Sequence, residues 1–327
     1  MKKIGVIGGG VWGCALAKLL SKHQVTIFAR DEKLVSSINK QKFNPQLKYV
    51  TFNENINSTS DINELNNLDY VFIALPAQTI RDVLKNYSVK NKEQQITIAS
   101  KGIEIDTMLF LDQVVKEVTE IENINILSGP CFSNEVVRNL PTAVTLATLK
   151  KENFDLINKL FDNKNFRLYF SNDLIGSQLG GALKNVYAIA AGMCNGLSLG
   201  ENAKSALITR SFSELKRLGK AFQANTETFY GLSGLGDLIL TCNSLKSRNT
   251  YFGHLVSSQQ HILPKDHLIS LQTTEGYFTV QAVKKIADKK NIDMPIMTAV
   301  YNILYKNLDI KEQIQALLER EPKAELN

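Results

Sequence analysis

The glycine-rich stretch near residue 10 restricts the fold of this chain more than any other feature. A β-branched run, Ile4 to Ile7, leads directly into Gly8-Gly9-Gly10-Val11-Trp12-Gly13, and an apolar stretch with helical spacing, Val11 to Ser21, follows. A strand, a G-x-G-x-x-G turn and a helix in this order are typical of a dinucleotide-binding site, because the glycines permit a tight turn and close approach of a pyrophosphate. An ordinary glycine turn is the alternative, and the flanking strand and helix favour the nucleotide site. We therefore expect NADP or NAD to bind at Gly8, Gly10, Val11 and Gly13.

The rest of the first half of the chain alternates between short β-branched runs and helical stretches such as Gln78 to Asn86. This alternation predicts an α/β protein with an N-terminal Rossmann-like, doubly wound parallel sheet covered on both faces. After Ser171-Asn172-Asp173, which supplies helix-capping residues, long stretches rich in Ala, Leu and Gly predict an all-helical C-terminal domain. We place the domains at residues 1–175 and 176–327. The predicted strands are Ile4 to Ile7, Val25 to Ala29, Tyr70 to Leu75, Ile96 to Ala99, Ile124 to Leu127, Ala143 to Leu146 and Arg167 to Phe170.

Composition excludes several classes of protein. A hydrophobic content of 44% excludes a disordered chain. The formal net charge is +6, but the basic residues are scattered among acids, which favours a solvated surface over a nucleic-acid-binding one. The four cysteines and four histidines lack metal-site spacing, and the cysteines suit reduced thiols. The apolar run after Met1 breaks at the glycines and no later run is long enough to span a bilayer, so we expect a cytoplasmic protein with no metal and no stable membrane insertion.

The residue after the second predicted strand bears on the choice of cofactor. NAD-preferring sites usually place an acid there to bind the ribose hydroxyls. In this chain Phe28-Ala29 is followed by Arg30 and only then by Asp31. An arginine can pair with the 2′-phosphate that distinguishes NADPH from NADH, whereas the alternative is a surface arginine without a role. We therefore predict the use of NADPH.

Two further turns follow predicted strands at the edge of the sheet where open α/β folds bind ligands. Ser100-Lys101-Gly102 comes directly after one strand and supplies a cation for substrate or cofactor, although a surface lysine is the alternative. Ser128-Gly129-Pro130-Cys131-Phe132-Ser133 follows the next strand, and its small residues expose backbone N–H groups to a ligand. Taken alone, the second stretch is equally consistent with a simple turn.

Lys184 lies in a helical stretch whose small neighbours, Gly180, Gly181, Ala188 and Ala191, let one face approach another surface closely. A lysine directed into such a cleft loses hydration, which lowers its pKa and suits it to general acid–base catalysis near neutral pH. A solvated lysine is the alternative.

A glycine-rich segment, Gly231 to Leu238, contains the acid Asp237, and Ser247-Arg248-Asn249 follows ten residues later. Arginine chelates phosphate through its planar donors, while Ser and Asn can complete the shell around the phosphate oxygens. The triplet is therefore a candidate phosphate site, with a polar helix cap as the alternative.

Seven motifs in order resemble the bacterial NAD(P)-dependent glycerol-3-phosphate dehydrogenase family, from Ile4 to about Thr279. They are G-G-G-V-W-G at Gly8 to Gly13, S-K-G at Ser100 to Gly102, G-P-C-F-S-N-E-V with P-T-A-V at Gly129 to Val144, L-K-N-V at Leu183 to Val186, G-L-G-D-L-I-L-T-C at Gly234 to Cys242, S-R-N at Ser247 to Asn249, and T-E-G at Thr274 to Gly276.

The resemblance implies an enzyme that interconverts dihydroxyacetone phosphate and sn-glycerol 3-phosphate, with Lys184 as proton donor or acceptor. The implied substrate contacts are Lys101, Gly129, Cys131, Lys184, Asp237, Ser247, Arg248 and Asn249. The implied cofactor contacts, beyond the motif glycines and Val11, are Trp12, Arg30, Lys101, Ser133, Arg248, Thr273 and Glu275.

Three positions depart from the family's usual pattern. Cys131 stands where Ser or Thr is usual, so a thiol replaces a hydroxyl that would contact the substrate. Ser133 replaces a usual Ala, and Val11 replaces a frequent Ser beside the pyrophosphate.

The family resemblance also implies a homodimer whose product feeds glycerophospholipid synthesis. Two other functions stay open at the level of sequence. One is a related Rossmann reductase of a different carbonyl substrate, and the other is a non-catalytic NAD(P)-binding regulator. The regulator hypothesis does not explain why Lys101, Lys184 and Asp237 accompany the glycine motif.

Overall fold

An eight-stranded sheet occupies the N-terminal half of the computed structural model, which describes residues 1–47, 50–259, 264–270, 274–321 and 324. Each predicted strand is present with ends shifted by a residue or two, and one strand, β3, was not predicted. The strands are β1 Lys3–Ile7, β2 Gln24–Phe28, β3 Ile56–Thr59, β4 Tyr70–Ile73, β5 Gln95–Ile98, β6 Ile124–Ser128, β7 Thr142–Thr148 and β8 Phe166–Ser171.

The strand order is β3-β2-β1-β4-β5-β6-β7-β8. Strands β2 and β3 are added on one side of β1 and the later strands on its other side, so the order of strands reverses between β1 and β4. This order confirms the predicted doubly wound architecture, and the crevice at such a reversal is where open α/β sheets bind ligands. All neighbouring strands are parallel except β6 and β7, which pair antiparallel. The expectation of a parallel sheet was therefore wrong at this one pair: the only α-helix between the two strands is the four-residue Ser133–Val136, and no long helix carries the chain back across the sheet as parallel pairing usually requires.

Apolar side chains cover both faces of the sheet. One core includes Ile4 and Val6 of β1 with Leu16, and the other includes Ile7 with Val71 of β4. The alternation within β1 divides its side chains between the two layers, as expected for a strand buried on both faces. The helices of this half are α1 Val11–Leu19, α2 Glu32–Ser36, α3 Ile80–Leu84, α4 Leu111–Thr119, α5 Ser133–Val136 and α6 Lys151–Asn158.

Beyond β8, the described residues form helices and turns around a third apolar core that includes Leu183, Val186 and Tyr187. The helices are α7 Leu174–Gly196, α8 Gly200–Ala221, α9 Asp237–Cys242, α10 Arg248–Ser258, α11 Pro264–Ser270, α12 Glu275–Lys290, α13 Pro295–Lys306 and α14 Ile310–Leu318. None of the described helices combines the length and apolar character needed to cross a membrane.

Helix α7 is the centre of this half, and its glycines let other elements reach its backbone. A Cβ on Gly180 would lie 2.2 Å from the carbonyl oxygen of Ser233, and one on Gly192 would lie 1.9 Å from that of Thr250. A Cβ on Gly181 would meet Ser128 Oγ at 2.8 Å and the side chain of Lys101 at 3.3 Å. The sheet edge therefore packs against the same helix that carries Lys184.

Candidate active site

The turn between β1 and α1 has the geometry that the glycine motif predicts. Gly8 has φ +127°, and a Cβ on Gly13 would lie 1.9 Å from Gly8 O. At Gly10, by contrast, no described residue beyond its chain neighbours and its own helix lies within 4 Å of the Cβ position, and no side chain of the described part caps the start of α1. The helix thus presents uncapped backbone N–H groups to open space, which fits the pyrophosphate of a dinucleotide cofactor.

Arg30 lies just beyond the end of β2 and is exposed. The acid beside it, Asp31, caps α2 by accepting a hydrogen bond from the Lys33 backbone N–H at 2.9 Å. Arg30 is therefore an exposed cation at the end of β2, and its acidic neighbour is engaged in capping its own helix. Trp12, the other predicted contact in this region, donates from Nε1 to the carbonyl oxygen of Ala99 at 3.2 Å.

Lys101, Asp237 and Lys184 meet between the sheet edge and α7. Lys101 Nζ donates to Asp237 Oδ2 at 2.5 Å, and Lys184 Nζ donates to Asp237 Oδ1 at 2.8 Å. The side chain of Asp237 is 1% exposed, that of Lys101 16% and that of Lys184 11%. One buried carboxylate therefore holds both ammonium groups, one on each oxygen, and both groups remain reachable from the cleft.

The environment drives the two lysine pKa values apart. For Lys184, desolvation by burial and the like charge of Lys101 lower the pKa below 10.5, despite the opposing effect of Asp237. For Lys101, burial acts in the same sense, but the Asp237 charge and hydrogen bond outweigh it and raise the pKa. Burial opposes ionisation of Asp237 as well, and the two lysines outweigh it, so its pKa is lowered. A divergent pair of this kind favours one permanently charged group and one proton donor.

Gly129 supports this cluster from the end of β6. Its carbonyl oxygen accepts from Lys101 Nζ at 3.0 Å, and its φ of +149° together with close contact to Val144 restricts the position to glycine. Cys131, two residues on, is half-buried close to the lysines, and burial raises the pKa of its thiol. A neutral thiol therefore stands where the family usually has a hydroxyl.

The Ser247-Arg248-Asn249 triplet begins α10. Ser247 is the N-cap, and its Oγ accepts from the Thr250 backbone N–H at 3.3 Å, so the capping role considered for this residue is observed. Asn249 is buried and accepts from the Gly276 N–H at 2.9 Å, while its Nδ2 donates to Asn185 Oδ1 at 2.9 Å. Arg248 is exposed at the first helical position. Helix start and guanidinium together suit an anion.

The remaining predicted cofactor contacts lie in different places. Glu275 begins α12, its Oε2 is buried without a hydrogen-bond partner among the described residues, and burial raises its pKa to about 7. A Cβ on Gly102 would lie 3.5 Å from that oxygen, which places Glu275 against the Lys101 turn. Ser133 is the first residue of α5, in the same turn as Cys131. Thr273 lies outside the described residues.

Sequence reasoning missed two residues of the site: one contacts the lysine–aspartate cluster, and the other contacts Asn249. Thr241 Oγ1 accepts from Lys184 Nζ at 2.9 Å and donates to Asp237 Oδ1 at 3.2 Å. Asn185, next to Lys184 on α7, bonds to Asn249. The spacing of four between Asp237 and Thr241 on α9 was the available signal, because residues four apart share a helix face.

Two family models match this chain and together span most of it. The model described as the NAD-dependent glycerol-3-phosphate dehydrogenase N-terminus matches residues 3–154, and that described as the C-terminus matches residues 173–315. The chain belongs to the NAD-dependent glycerol-3-phosphate dehydrogenase family. This confirms the resemblance of the seven motifs and identifies the chain as an NAD(P)-dependent oxidoreductase.

Individual relatives agree over nearly the full length. A glycerol-3-phosphate dehydrogenase (NAD(P)+) from Zymomonas mobilis is 38% identical over 324 residues, covering 98% of this chain and 94% of the relative. One from Parvibaculum lavamentivorans is 40% identical, covering 98% and 97%. The crystal structure of glycerol-3-phosphate dehydrogenase from Coxiella burnetii is 32% identical with a TM-score of 0.92, covering 98% of this chain and 99% of that one. The roles of individual residues stay predictions.

Proposed function

We propose that this chain reduces dihydroxyacetone phosphate to sn-glycerol 3-phosphate, reversibly, with NADPH as the preferred cofactor and Lys184 as the proton donor. The observation that carries the proposal is the pair of lysines on the single buried carboxylate of Asp237, facing the carboxyl edge of the sheet. The membership of the chain in its family supports the same reaction.

The phosphate of the substrate binds at the start of α10. Arg248 chelates it, and the backbone N–H groups of the first turn add donors. With both lysines and Asp237 ionised, the cluster carries a net charge of +1, and Arg248 adds another. This charge complements a phosphate monoester, which carries about −1.5 to −2 at neutral pH. Binding of the phosphate positions the reacting carbonyl at a distance from the anchor.

When bound, the reduced nicotinamide supplies a hydride to C2 of the substrate. Negative charge then develops on the C2 oxygen, which Lys101 stabilises as a permanent cation. Lys184 gives its proton to that oxygen, because its lowered pKa makes it the better acid of the two. Asp237 and Thr241 engage two of the three Lys184 hydrogens and orient the third toward the substrate. In the reverse direction, neutral Lys184 accepts the hydroxyl proton.

The position of Arg30 supports the preference for NADPH: it follows β2, where dinucleotide-binding folds usually bind the ribose, while Asp31 is engaged in capping α2. A 2′-phosphate is a bidentate partner for arginine. The turn from Gly8 to Gly13 holds the pyrophosphate, with Val11 and Trp12 at the start of α1.

The wider setting of the protein is also part of the proposal. It is a cytoplasmic homodimer without nucleic-acid partners, and its product feeds glycerophospholipid synthesis. The boundary near residue 175 is supported by β8 ending at Ser171 and α7 beginning at Leu174. Light scattering of the purified protein tests the dimer. A monomeric mass would contradict the dimer and leave the proposed reaction unaffected.

The loss of absorbance as NADPH or NADH is oxidised tests the reaction. Purified protein is given dihydroxyacetone phosphate or unphosphorylated dihydroxyacetone. Oxidation that requires the phosphate, and is faster with NADPH, supports the proposal. Turnover of the unphosphorylated compound at the same rate would point to another carbonyl reductase. Nucleotide binding without turnover of either compound would favour the regulator.

A further inference from the structure

Asn44 lies in the segment after α2 and is completely buried, yet neither the glycine motif nor the family roles include it. Its side-chain amide reaches the cofactor turn, 35 positions earlier in the sequence. Nδ2 donates to the carbonyl oxygen of Gly9 at 3.0 Å and to Cys14 Sγ at 3.1 Å. The two hydrogens of the amide therefore have one acceptor each, and both acceptors belong to the β1–α1 unit.

The segment that carries Asn44 is itself fixed. Asn44 Oδ1 accepts from the Gln46 backbone N–H at 2.8 Å, and the Asn44 carbonyl oxygen accepts from the N–H of Leu47, a fully buried residue, at 2.9 Å. Short turns of this kind hold an asparagine side chain in one orientation. The donor that reaches Gly9 is thus pre-positioned.

Gly9 is confined on its other sides as well. A Cβ there would lie 2.7 Å from the Cβ of Ala29 and 2.9 Å from Leu34 Cδ2. Its carbonyl oxygen also accepts from Cys14 Sγ at 3.4 Å, and burial raises the pKa of that thiol to about 11, which keeps it a donor. Two donors therefore hold this carbonyl toward the protein interior.

Because the peptide bond is planar, the contact between Asn44 and the Gly9 carbonyl also fixes the direction of the Gly10 N–H in the cofactor turn. In a trans peptide the C=O of one residue and the N–H of the next point in opposite directions. With Gly9 O held inward, the Gly10 N–H must point outward, and Gly10 is the exposed residue of this turn while Gly9 is buried. Without Asn44, the same peptide can rotate and present a carbonyl oxygen to the anion.

We propose that Asn44 is a positioning residue for the cofactor: it fixes the Gly9–Gly10 peptide so that the Gly10 N–H faces the pyrophosphate. The inference rests on the proposed function only in taking an NAD(P) dinucleotide as the ligand of this turn. Asn44 touches neither cofactor nor substrate, so its effect is confined to cofactor affinity.

Fluorescence titration of the full-length protein with NADPH, and competition by ADP-ribose, test the proposal. Asn44→Ser keeps an oxygen close to the Gln46 N–H but is too short to reach Gly9, and Asn44→Ala removes both contacts. Each variant is expected to raise the Kd for NADPH about tenfold or more, the scale of one lost hydrogen bond to a charged group. The Kd for ADP-ribose rises by the same factor, because that compound contains the pyrophosphate. At saturating cofactor, kcat stays within about threefold of the wild-type value.

Asn125→Ala is the matched control. Asn125 is also fully buried in the sheet domain, but it bonds to Gln95 and Ile96 at the opposite ends of the strands from the cofactor turn. This variant is expected to lower the Tm without changing the Kd for NADPH. Cys14→Ser retains a donor to Gly9 and is expected to bind NADPH as the wild type does, while Cys14→Ala binds it more weakly.

Three results would overturn the proposal. One is a wild-type Kd in a folded Asn44→Ser or Asn44→Ala variant, and another is a fall in kcat with unchanged cofactor affinity. The third is failure of both variants to fold while Asn125→Ala folds, which would make Asn44 a stability residue instead. Absence of NADPH binding by the wild-type protein is a separate result and would contradict the proposed function itself.

Discussion

Replacement of Lys184 with methionine tests the assignment of the proton donor. Methionine has nearly the length of lysine without its charge or proton. The fold should tolerate the change, because Asp237 keeps Lys101 on Oδ2 and Thr241 on Oδ1 and is not left as an unpaired buried charge. The variant separates chemistry from folding for that reason.

The expected loss follows from the single function removed. General acid–base catalysis contributes about 10²–10⁴-fold to the rate. At about 1.36 kcal/mol for each tenfold change, kcat should fall by the equivalent of about 3–5 kcal/mol in the activation free energy. The net charge of the cluster falls from +1 to zero, so the KM for dihydroxyacetone phosphate should rise as well, but by a smaller factor. Substrate binding and the proton transfer are thus affected to different extents.

The assay is NADPH oxidation at saturating substrate, with circular dichroism to check folding. Lys204→Met provides the control, because Lys204 is also a buried lysine of the helical half, paired with Glu201 at 2.9 Å on α8. It should lose stability and keep kcat within about twofold. A folded Lys184→Met protein that retains more than a tenth of wild-type kcat would refute the role of Lys184.

Three other substitutions test separate parts of the account. Arg248→Ala should raise the KM for dihydroxyacetone phosphate about a hundredfold, as a lost charge-assisted phosphate contact implies, and an unchanged KM in steady-state assays would exclude the contact. Arg30→Ala should lower kcat/KM for NADPH about tenfold and leave that for NADH unchanged, whereas equal efficiencies with both cofactors before and after the substitution would contradict the 2′-phosphate contact. Glu214→Ala removes the acceptor for the N–H groups of Ile296 and Met297 at the start of α13. It should lower the free energy of unfolding, measured by chemical denaturation, by about 2–4 kcal/mol. A loss below about 0.5 kcal/mol would show that water replaces the carboxylate.

Features encoded over short distances were predictable from the sequence. The β1–α1 turn was predicted correctly because strand, glycines and helix are adjacent along the chain. The close packing around Lys184 was also predictable, since the small residues of α7 identify the face that other elements approach. Strand β3, Ile56–Thr59, was missed because it lies in an asparagine-rich stretch and is defined by pairing with β2.

Features that depend on distant contacts were not predictable. The direction of β7 depends on how the chain returns after Gly129, which periodicity does not encode. The Lys101–Asp237 contact joins residues 136 positions apart, so the sequence supplied candidates for the site without their arrangement. Asn44 has no local signal at all, because its importance comes from the Gly9 carbonyl that it meets only in the folded chain.

The pH dependence of kcat in both directions tests the central claim most directly. If Lys184, with its lowered pKa, is the proton donor, reduction of dihydroxyacetone phosphate requires its charged form and slows as pH rises through that pKa, below 10.5. Oxidation of glycerol 3-phosphate requires the neutral form and accelerates over the same range. Lys101, with its raised pKa, stays charged throughout. Opposite slopes with a common midpoint are the predicted result; reduction that accelerates with pH, or rates that do not change in either direction, would contradict the mechanism.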